Sequence, residues 1–351
     1  MSAMPGNFFE DFKIGAVLRH ATPRTVTTGD TALYTALTGS RFALHSADTF
    51  AQGCGLPQAP VDDMLVFHIV FGKTVPDVSL NAVANLGYAD GRWGVPVYPG
   101  DTLKTVSTVI GKRELSNGKA GVVWVESVGT NQRDEMVLEY VRWVMVNKRD
   151  AASPACEPEV PTLPEAVAAA TLQVPADLDL AGYDAEAAGD TRLWDDFAVG
   201  EQIDHVDGMA IEEAEHQMAT RLYQNTAKVH FDLHRAAETR FGRRIVYGGH
   251  VISLARALSF SGLASACRIV GLNGGRHTAP SFAGDTIYAW SEILEKTPLA
   301  GRDDAGAVRI RTVATKNQPC EAFPDLSGEG KDHPAKVLDL DYWALMPRKP
   351  V

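Results

Sequence analysis

The residues of this chain best suited to chemistry lie in one run, Tyr223-Gln224-Asn225-Thr226-Ala227-Lys228-Val229-His230-Phe231-Asp232, and in the Gly248-Gly249 pair beyond it. The His230 imidazole titrates near neutrality and can take a proton from water. The Asn225 amide can orient water or a carbonyl but cannot accept a proton. Two glycines ahead of an apolar run suit a helix start, where backbone N–H groups stabilise a developing oxyanion. Against this stands the plainer reading of His230 as a hydrogen-bonded core histidine.

Cations gather around the same segment. Lys228, Arg235, Arg240, Arg243 and Arg244 follow in sequence, with Arg221 just before and Arg276 further on. A solvated face is the ordinary fate of such a run; its functional reading is a clamp for phosphates or a free carboxylate. His250 falls inside an apolar helix and His277 beside Arg276 reads as a strand cap, so both, like His216, have weaker claims. No His/Cys/Asp/Glu spacing suggests a metal site.

The elements that must hold these residues occur twice. Phe9-Glu10-Asp11-Phe12 with Gly15 matches Trp194-Asp195-Asp196-Phe197 with Gly200, and His45 and Val61 fall on His230 and Val246, always 185 residues apart. Arg92 to Thr102 matches Arg276 to Thr286 at a spacing of 184. A near-constant spacing over separate patches indicates an internal repeat. It divides the chain into residues 1–149, a connection at 150–190 rich in Ala, Pro, Glu and Asp, and residues 191–351.

Within the first copy the pattern predicts a helix near 29–37, a buried apolar helix over 60–75, and strands near 79–86, 101–110, 120–128 and 136–146. The turn signals Asn117-Gly118 and Asp134-Glu135 separate the last three. The second copy predicts an apolar helix over 245–263 and strands near 268–272, 286–295, 307–315 and 336–343. A short helix is expected at 164–171. One apolar helix wrapped by an antiparallel sheet, present twice, is an α+β double hot dog.

At 351 residues the chain suits two domains, and its 45% hydrophobic and 22% charged residues are those of a globular protein. A net charge of -11 disfavours nucleic acid and anionic membranes as partners. The start, MSAMPGNFFEDFKIG, lacks the basic end and apolar stretch of a signal peptide, and no run is long enough to span a bilayer, so a cytoplasmic location is expected. The four cysteines are widely spaced with no CxxC pair, which predicts free thiols.

The segment from Tyr223 to Asp232, with its helix-head glycine, resembles the MaoC-like, R-specific enoyl-CoA hydratases, whose signature sets an Asp five residues before a His and an oxyanion-binding Gly at the head of the long helix. His230 takes the His position and Gly248 the Gly position, while Asn225 stands where the family has Asp. The stretches SLNAVANLGYADGRW, VYPGDTLKTVSTVIG, NGKAGVVWVESVG and LEYVRWVMVNKRD look like the mesaconyl-CoA hydratase branch of that family. The resemblance covers nearly the whole chain.

It implies a hydro-lyase acting on an acyl-CoA, with CoA entering as part of the substrate and no further cofactor or metal. His230 would be the base, Asn225 would orient water or imidazole, and Gly248 or Gly249 would supply oxyanion N–H groups, with Tyr223 in the binding set. Asp232 is the candidate donor to the α-carbon. Lys228, Arg221, Arg243, Arg244 and Arg276 are candidates for CoA or carboxylate contacts. In the first copy Ser40, His45 and Asp63 hold the equivalent positions; a carboxylate in place of the glycine repels negative charge, so that copy is expected to be silent and to shape the acyl pocket. A broader 2-enoyl-CoA hydratase, a hot-dog thioesterase and a non-catalytic acyl-CoA-binding protein are the rival readings, and the sequence leaves a homo-oligomer open.

Overall fold

The computed structural model describes residues 6–350. The first five residues of the segment inspected for a signal peptide, and Val351, lie outside the described residues.

The first copy contributes strands β1 (Val17–Arg19), β2 (Arg24–Thr25), β3 (Ala82–Trp93), β4 (Thr102–Glu114), β5 (Ala120–Thr130) and β6 (Met136–Asn147). Its helices are α1 (Thr28–Thr38), α2 (Ala43–Ser46), α3 (Asp48–Gly53) and α4 (Asp63–Thr74). The second supplies β7 (Gln202–Asp204), β8 (Met209–Ala210), β9 (Arg268–His277), β10 (Thr286–Pro298), β11 (Ala305–Lys316) and β12 (Lys336–Pro347). Its helices are α5 (Glu213–Leu222), α6 (Leu233–Ala236), α7 (Gly248–Leu258) and α8 (Phe260–Leu263).

All strand pairs are antiparallel and join into one sheet in the order β1-β4-β5-β6-β3-β9-β12-β11-β10-β7, with β2 and β8 paired to β4 and β10. The seam between the copies is the β3–β9 pair, where Tyr88 faces Gly275 and Arg92 faces Gly271. Every residue of α4 is buried, as are Gly249 to Leu258 of α7. These two helices form the cores around which the sheet curls; α4 is apolar on most sides, while α7 also buries a polar row of His250, Ser253 and Arg256.

The repeat is visible in the packing. His68 of α4 and Ser253 of α7, 185 residues apart, meet at 2.8 Å, so equivalent positions of the two copies touch across a pseudo-twofold axis. In the first copy His20 Nε2 lies 2.8 Å from Ser107 Oγ, which lies 2.7 Å from Ser127 Oγ. In the second, His205, Ser291 and Thr312 repeat the chain at 2.8 Å and 2.8 Å. Each link satisfies a polar group that burial would otherwise leave unpaired.

The expected strands form but run further; the third of the first copy begins at Ala82, because residues 75–79 continue the buried helix as a π turn. The long helix of the second copy ends at Leu258, with a kink where Gly262 takes φ +90° before Leu263. The helix expected at 164–171 contracts to a 3-10 turn at Ala169–Thr171. Nor is the connection loose: Val167, Leu178 and Leu180 are buried, Val167 N donates to Asn273, and Trp343 Nε1 donates to the Val167 carbonyl. Its apolar residues are too few to make a periodic pattern, yet they cover the outer face of the second copy's sheet.

Candidate active site

His230 ends a 3-10 turn (Lys228–His230) between α5 and α6, and its Nδ1 donates to the Ile245 carbonyl at 2.8 Å. A carbonyl only accepts, so Nδ1 carries the proton and Nε2 presents a lone pair. Burial first, and then the charge of His216, hold its pKa down to about 4 against the opposing pull of the Ile245 carbonyl. The ring is therefore a neutral base at physiological pH, set 5.6 Å from the Tyr247 ring.

Tyr247 precedes the first residue of α7, and the Gly248 and Gly249 N–H groups point out of the helix start. Both glycines are needed for close approach. A Cβ on Gly248 would lie 2.5 Å from His277 Nε2, and one on Gly249 would lie 2.4 Å from the Tyr247 ring and 2.7 Å from His68. The helix head is thus flanked by His277 at Gly248 and by His230 at Tyr247. His277 is held at a pKa of about 4, by burial first and then by His230.

Asn225 is buried, and its Oδ1 accepts from Ala227 N at 3.0 Å, leaving the amide nitrogen without a protein partner among the described residues. It borders a cavity of about 540 Å³ together with Thr220, Arg221, Gln224 and Phe231 of the second copy and Gly72 and Lys73 of the first. Sequence reasoning missed Lys73. Burial, followed by repulsion from Arg24, lowers its pKa to about 8, and its Nζ donates to Gln224 Oε1. A Cβ on Gly72 would sit 1.8 Å from the Tyr223 carbonyl oxygen, so glycine there is what lets α4 press onto the Tyr223-Gln224 backbone and deliver Lys73 to the cavity.

The remaining candidates separate by what they touch. Asp232 caps α6, its Oδ1 accepting from Arg235 N at 3.1 Å, so the carboxylate offered as an α-carbon proton donor is occupied in holding a helix end. Tyr223 is wholly buried with its ring 4.4 Å from that of His68, and its place is in the core under the cavity rather than on its wall. Arg244 is buried and paired with Glu213, and Arg276 makes a bidentate pair with Asp332 at 2.5 and 2.6 Å. Both are engaged by carboxylates of the chain itself, Arg244 in the interior and Arg276 at the surface. Arg243 stacks 4.0 Å over Phe282 on the surface, and Lys228 is exposed. Arg221 is the one cation of the predicted set that lines the cavity.

The first copy shows the same frame filled in. His45 Nδ1 meets the Pro60 carbonyl at 3.2 Å, as His230 meets that of Ile245, and Pro60 and Ile245 are equivalent in the repeat. Asp63, however, stands in place of Gly248, with its carboxylate 3.4 Å from His45 Nε2 and accepting from Ile269 N at 2.8 Å. Only about 10 Å³ is left beside Ser40, His45 and Asp62, enough for a single water. Among the described residues, no cluster of three or more His, Cys, Asp or Glu side chains is placed to hold a metal ion.

Two hot-dog copies, one with a blocked site and one with a histidine base facing a glycine-headed helix, define the class of MaoC-like hydratases and dehydratases. A Chloroflexus aurantiacus protein of known structure described as a MaoC domain dehydratase superposes on all of this chain and all of its own with a TM-score of 0.97 at 64% identity. A Mycobacterium tuberculosis protein described as a double hotdog fold covers 98% of this chain and 99% of its own at a TM-score of 0.75 and 24% identity, which bears on the fold alone.

Within that class the chain belongs to the mesaconyl-CoA hydratase family, whose model matches residues 2–329. The β-methylmalyl-CoA dehydratase of Chloroflexus aurantiacus is 65% identical over 98% of both chains. The mesaconyl-CoA hydratase of Cereibacter sphaeroides is 59% identical over 99% of this chain and 100% of its own.

Proposed function

We propose that this chain catalyses the reversible hydration of mesaconyl-CoA, with the thioester on carbon 1, to β-methylmalyl-CoA. The observation that carries the reading is the His230 ring, fixed through Nδ1 on the Ile245 carbonyl so that Nε2 is the free acceptor, and packed against Tyr247, the residue that opens the glycine-headed helix. His230 takes a proton from water as the oxygen bonds to the β-carbon. The electrons of the double bond move toward the thioester oxygen, where the Gly248 N–H meets them. The protonated His230 then returns that proton to the α-carbon, which completes the addition and restores the neutral base. Asn225 Nδ2 orients the water, since its Oδ1 is engaged by Ala227.

Mesaconyl-CoA carries a carboxylate that a straight-chain enoyl-CoA lacks. Lys73 and Arg221 border the cavity without acidic partners among the described residues, and they are the cations we assign to the substrate's anionic groups. A thioesterase of this fold would need a carboxylate to activate water, and Asp232 is spent as a cap. Addition of water involves no net oxidation, so no redox cofactor is called for. Among the described residues no helix is long and apolar enough to cross a membrane, and all four thiols are free; we place the reaction in the cytoplasm on the strength of those reduced cysteines.

The test is the absorbance of the conjugated thioester after addition of protein to mesaconyl-CoA, run beside crotonyl-CoA and beside His230→Ala. Loss of absorbance with mesaconyl-CoA, abolished in the variant, is the expected result. Preference for crotonyl-CoA would move the substrate assignment, and release of free thiol would move the reaction to hydrolysis.

A further inference from the structure

An oxyanion site built on one backbone N–H is incomplete, because such sites are ordinarily closed by a second donor. In the first copy the helix head is shut by two residues: Asp63 occupies the glycine position, and Trp93 Nε1 donates to the Asp63 carbonyl at 3.0 Å. Both positions change in the second copy. Gly248 replaces the aspartate, and His277, 184 residues after Trp93, replaces the tryptophan. The exchange of a wide indole for an imidazole clears space at the helix head and leaves a nitrogen facing it.

That nitrogen has no partner. His277 Nε2 is buried without a hydrogen bond and lies 2.5 Å from where a Gly248 Cβ would stand. A buried polar atom left unpaired costs about 1–3 kcal/mol unless something else satisfies it. The ring is not adrift either. It sits at the end of β9 in register with Leu338 of β12, and it packs edge-on to Tyr88 at 6.1 Å and 85°. A strand end thus holds an unsatisfied group against the Gly248 helix head.

We propose that His277 donates a hydrogen bond from Nε2 to the thioester oxygen, sharing with the Gly248 N–H the negative charge that develops there. The assignment rests on the hydration reading above and completes its oxyanion site; the proton balance is unchanged, because His277 gives and takes no proton. Its depressed pKa suits the role, since a neutral imidazole is a donor that does not itself need a counter-ion. The residue is catalytic in that it touches the oxygen on which charge builds.

The experiment compares wild type, His277→Ala and His277→Gln on mesaconyl-CoA, with thermal unfolding of each. The expected result is a fall in kcat of about 10²-fold or more for the alanine variant with KM changed far less, and partial recovery in the glutamine variant, whose amide can donate. A second readout uses the His230→Ala background, in which substrate binds without turning over. There the absorption band of bound mesaconyl-CoA shifts to longer wavelength as the carbonyl is polarised, and adding His277→Ala removes the shift without removing binding. If wild type hydrates mesaconyl-CoA and His277→Ala keeps kcat within about threefold, or the shift survives in the double variant, the inference is overturned while the hydratase reading stands. If wild type fails to hydrate mesaconyl-CoA or crotonyl-CoA, the hydratase reading falls and takes this inference with it. Should His277→Ala not fold, the kcat and spectrum of His277→Gln against those of His277→Asn, whose shorter amide cannot reach the same point, decide it: equal values in both overturn the assignment.

Discussion

His45 Nε2 and the Asp63 carboxylate stand 3.4 Å apart in the first copy, at the two positions that the second copy gives to His230 and Gly248. Burial alone would push Asp63 up, but Arg268 at 3.8 Å and then His45 outweigh it and hold the carboxyl below the usual range. Asp63 also accepts from Ile269 N of β9, so the group that blocks the first site ties the two copies together. Asp63→Ala is therefore expected to lower stability by about 3–5 kcal/mol, because it strands a buried guanidinium and an unpaired backbone N–H. Urea unfolding measures this, and activity per folded molecule should be nearly unchanged.

With His230 as the proposed base, its acidity sets the low-pH limit of the reaction. Its pKa of about 4 predicts that kcat/KM stays level from neutrality down to about pH 5 and then falls as Nε2 takes a proton. A pH–rate profile with its acid limb at the ordinary histidine value near 6.5 would remove His230 from the role of base.

Stability has its own dependence on pH. His205, His230, His250 and His277 are each held at about 4, with burial the largest cause. The unfolded chain takes up these protons near pH 6.5 and the folded chain does not, so stability is full above 6.5 and is lost as pH falls toward 4. Thermal midpoints recorded between pH 7.5 and 4.5 should drop steadily; a flat series would show that the histidines are not buried as described.

Lys73 offers a test of the anion assignment. Lys73→Met should raise KM for mesaconyl-CoA by about tenfold while leaving that for crotonyl-CoA within a small factor, a loss of one charge-assisted contact. In the unmodified protein, KM for mesaconyl-CoA should climb above about pH 8, where the free amine loses its proton.

Asp232→Ala distinguishes a cap from a proton donor. Loss of an N-cap costs about 1 kcal/mol of stability and leaves chemistry alone, so kcat should stay within about threefold and the thermal midpoint should fall slightly. A collapse of kcat with unchanged stability would restore Asp232 as the α-carbon donor.

Much of this was legible in the residues. The near-constant spacing of His45 to His230 and of Gly100 to Gly284 reports a repeat that survives because both copies need the same turns and the same helix anchor. The helix and strand positions follow from apolar pattern, and His230 with Gly248 follows from position within that repeat. Lys73 was not legible, since one lysine closing a buried helix in the first copy gives no sign that its tip crosses to the second. Arg244 and Arg276 were misleading for the opposite reason: Glu213 and Asp332, the partners that absorb them, are 31 and 56 residues away. His277, set aside in the sequence as a strand cap, had a readable signal in the Trp93-to-His277 exchange at one repeat position.

The contact of His68 with Ser253 on the pseudo-twofold axis has a consequence for what a fused chain can become. In a dimer of identical subunits a residue on the axis meets its own copy, and every substitution is made twice. Here the two sides of the axis are separate letters of one sequence. A histidine can face a serine, and a carboxylate can weld one half while a glycine opens the other. Covalent fusion releases the halves from having to be identical, so the first can hold Asp63 where the second holds Gly248.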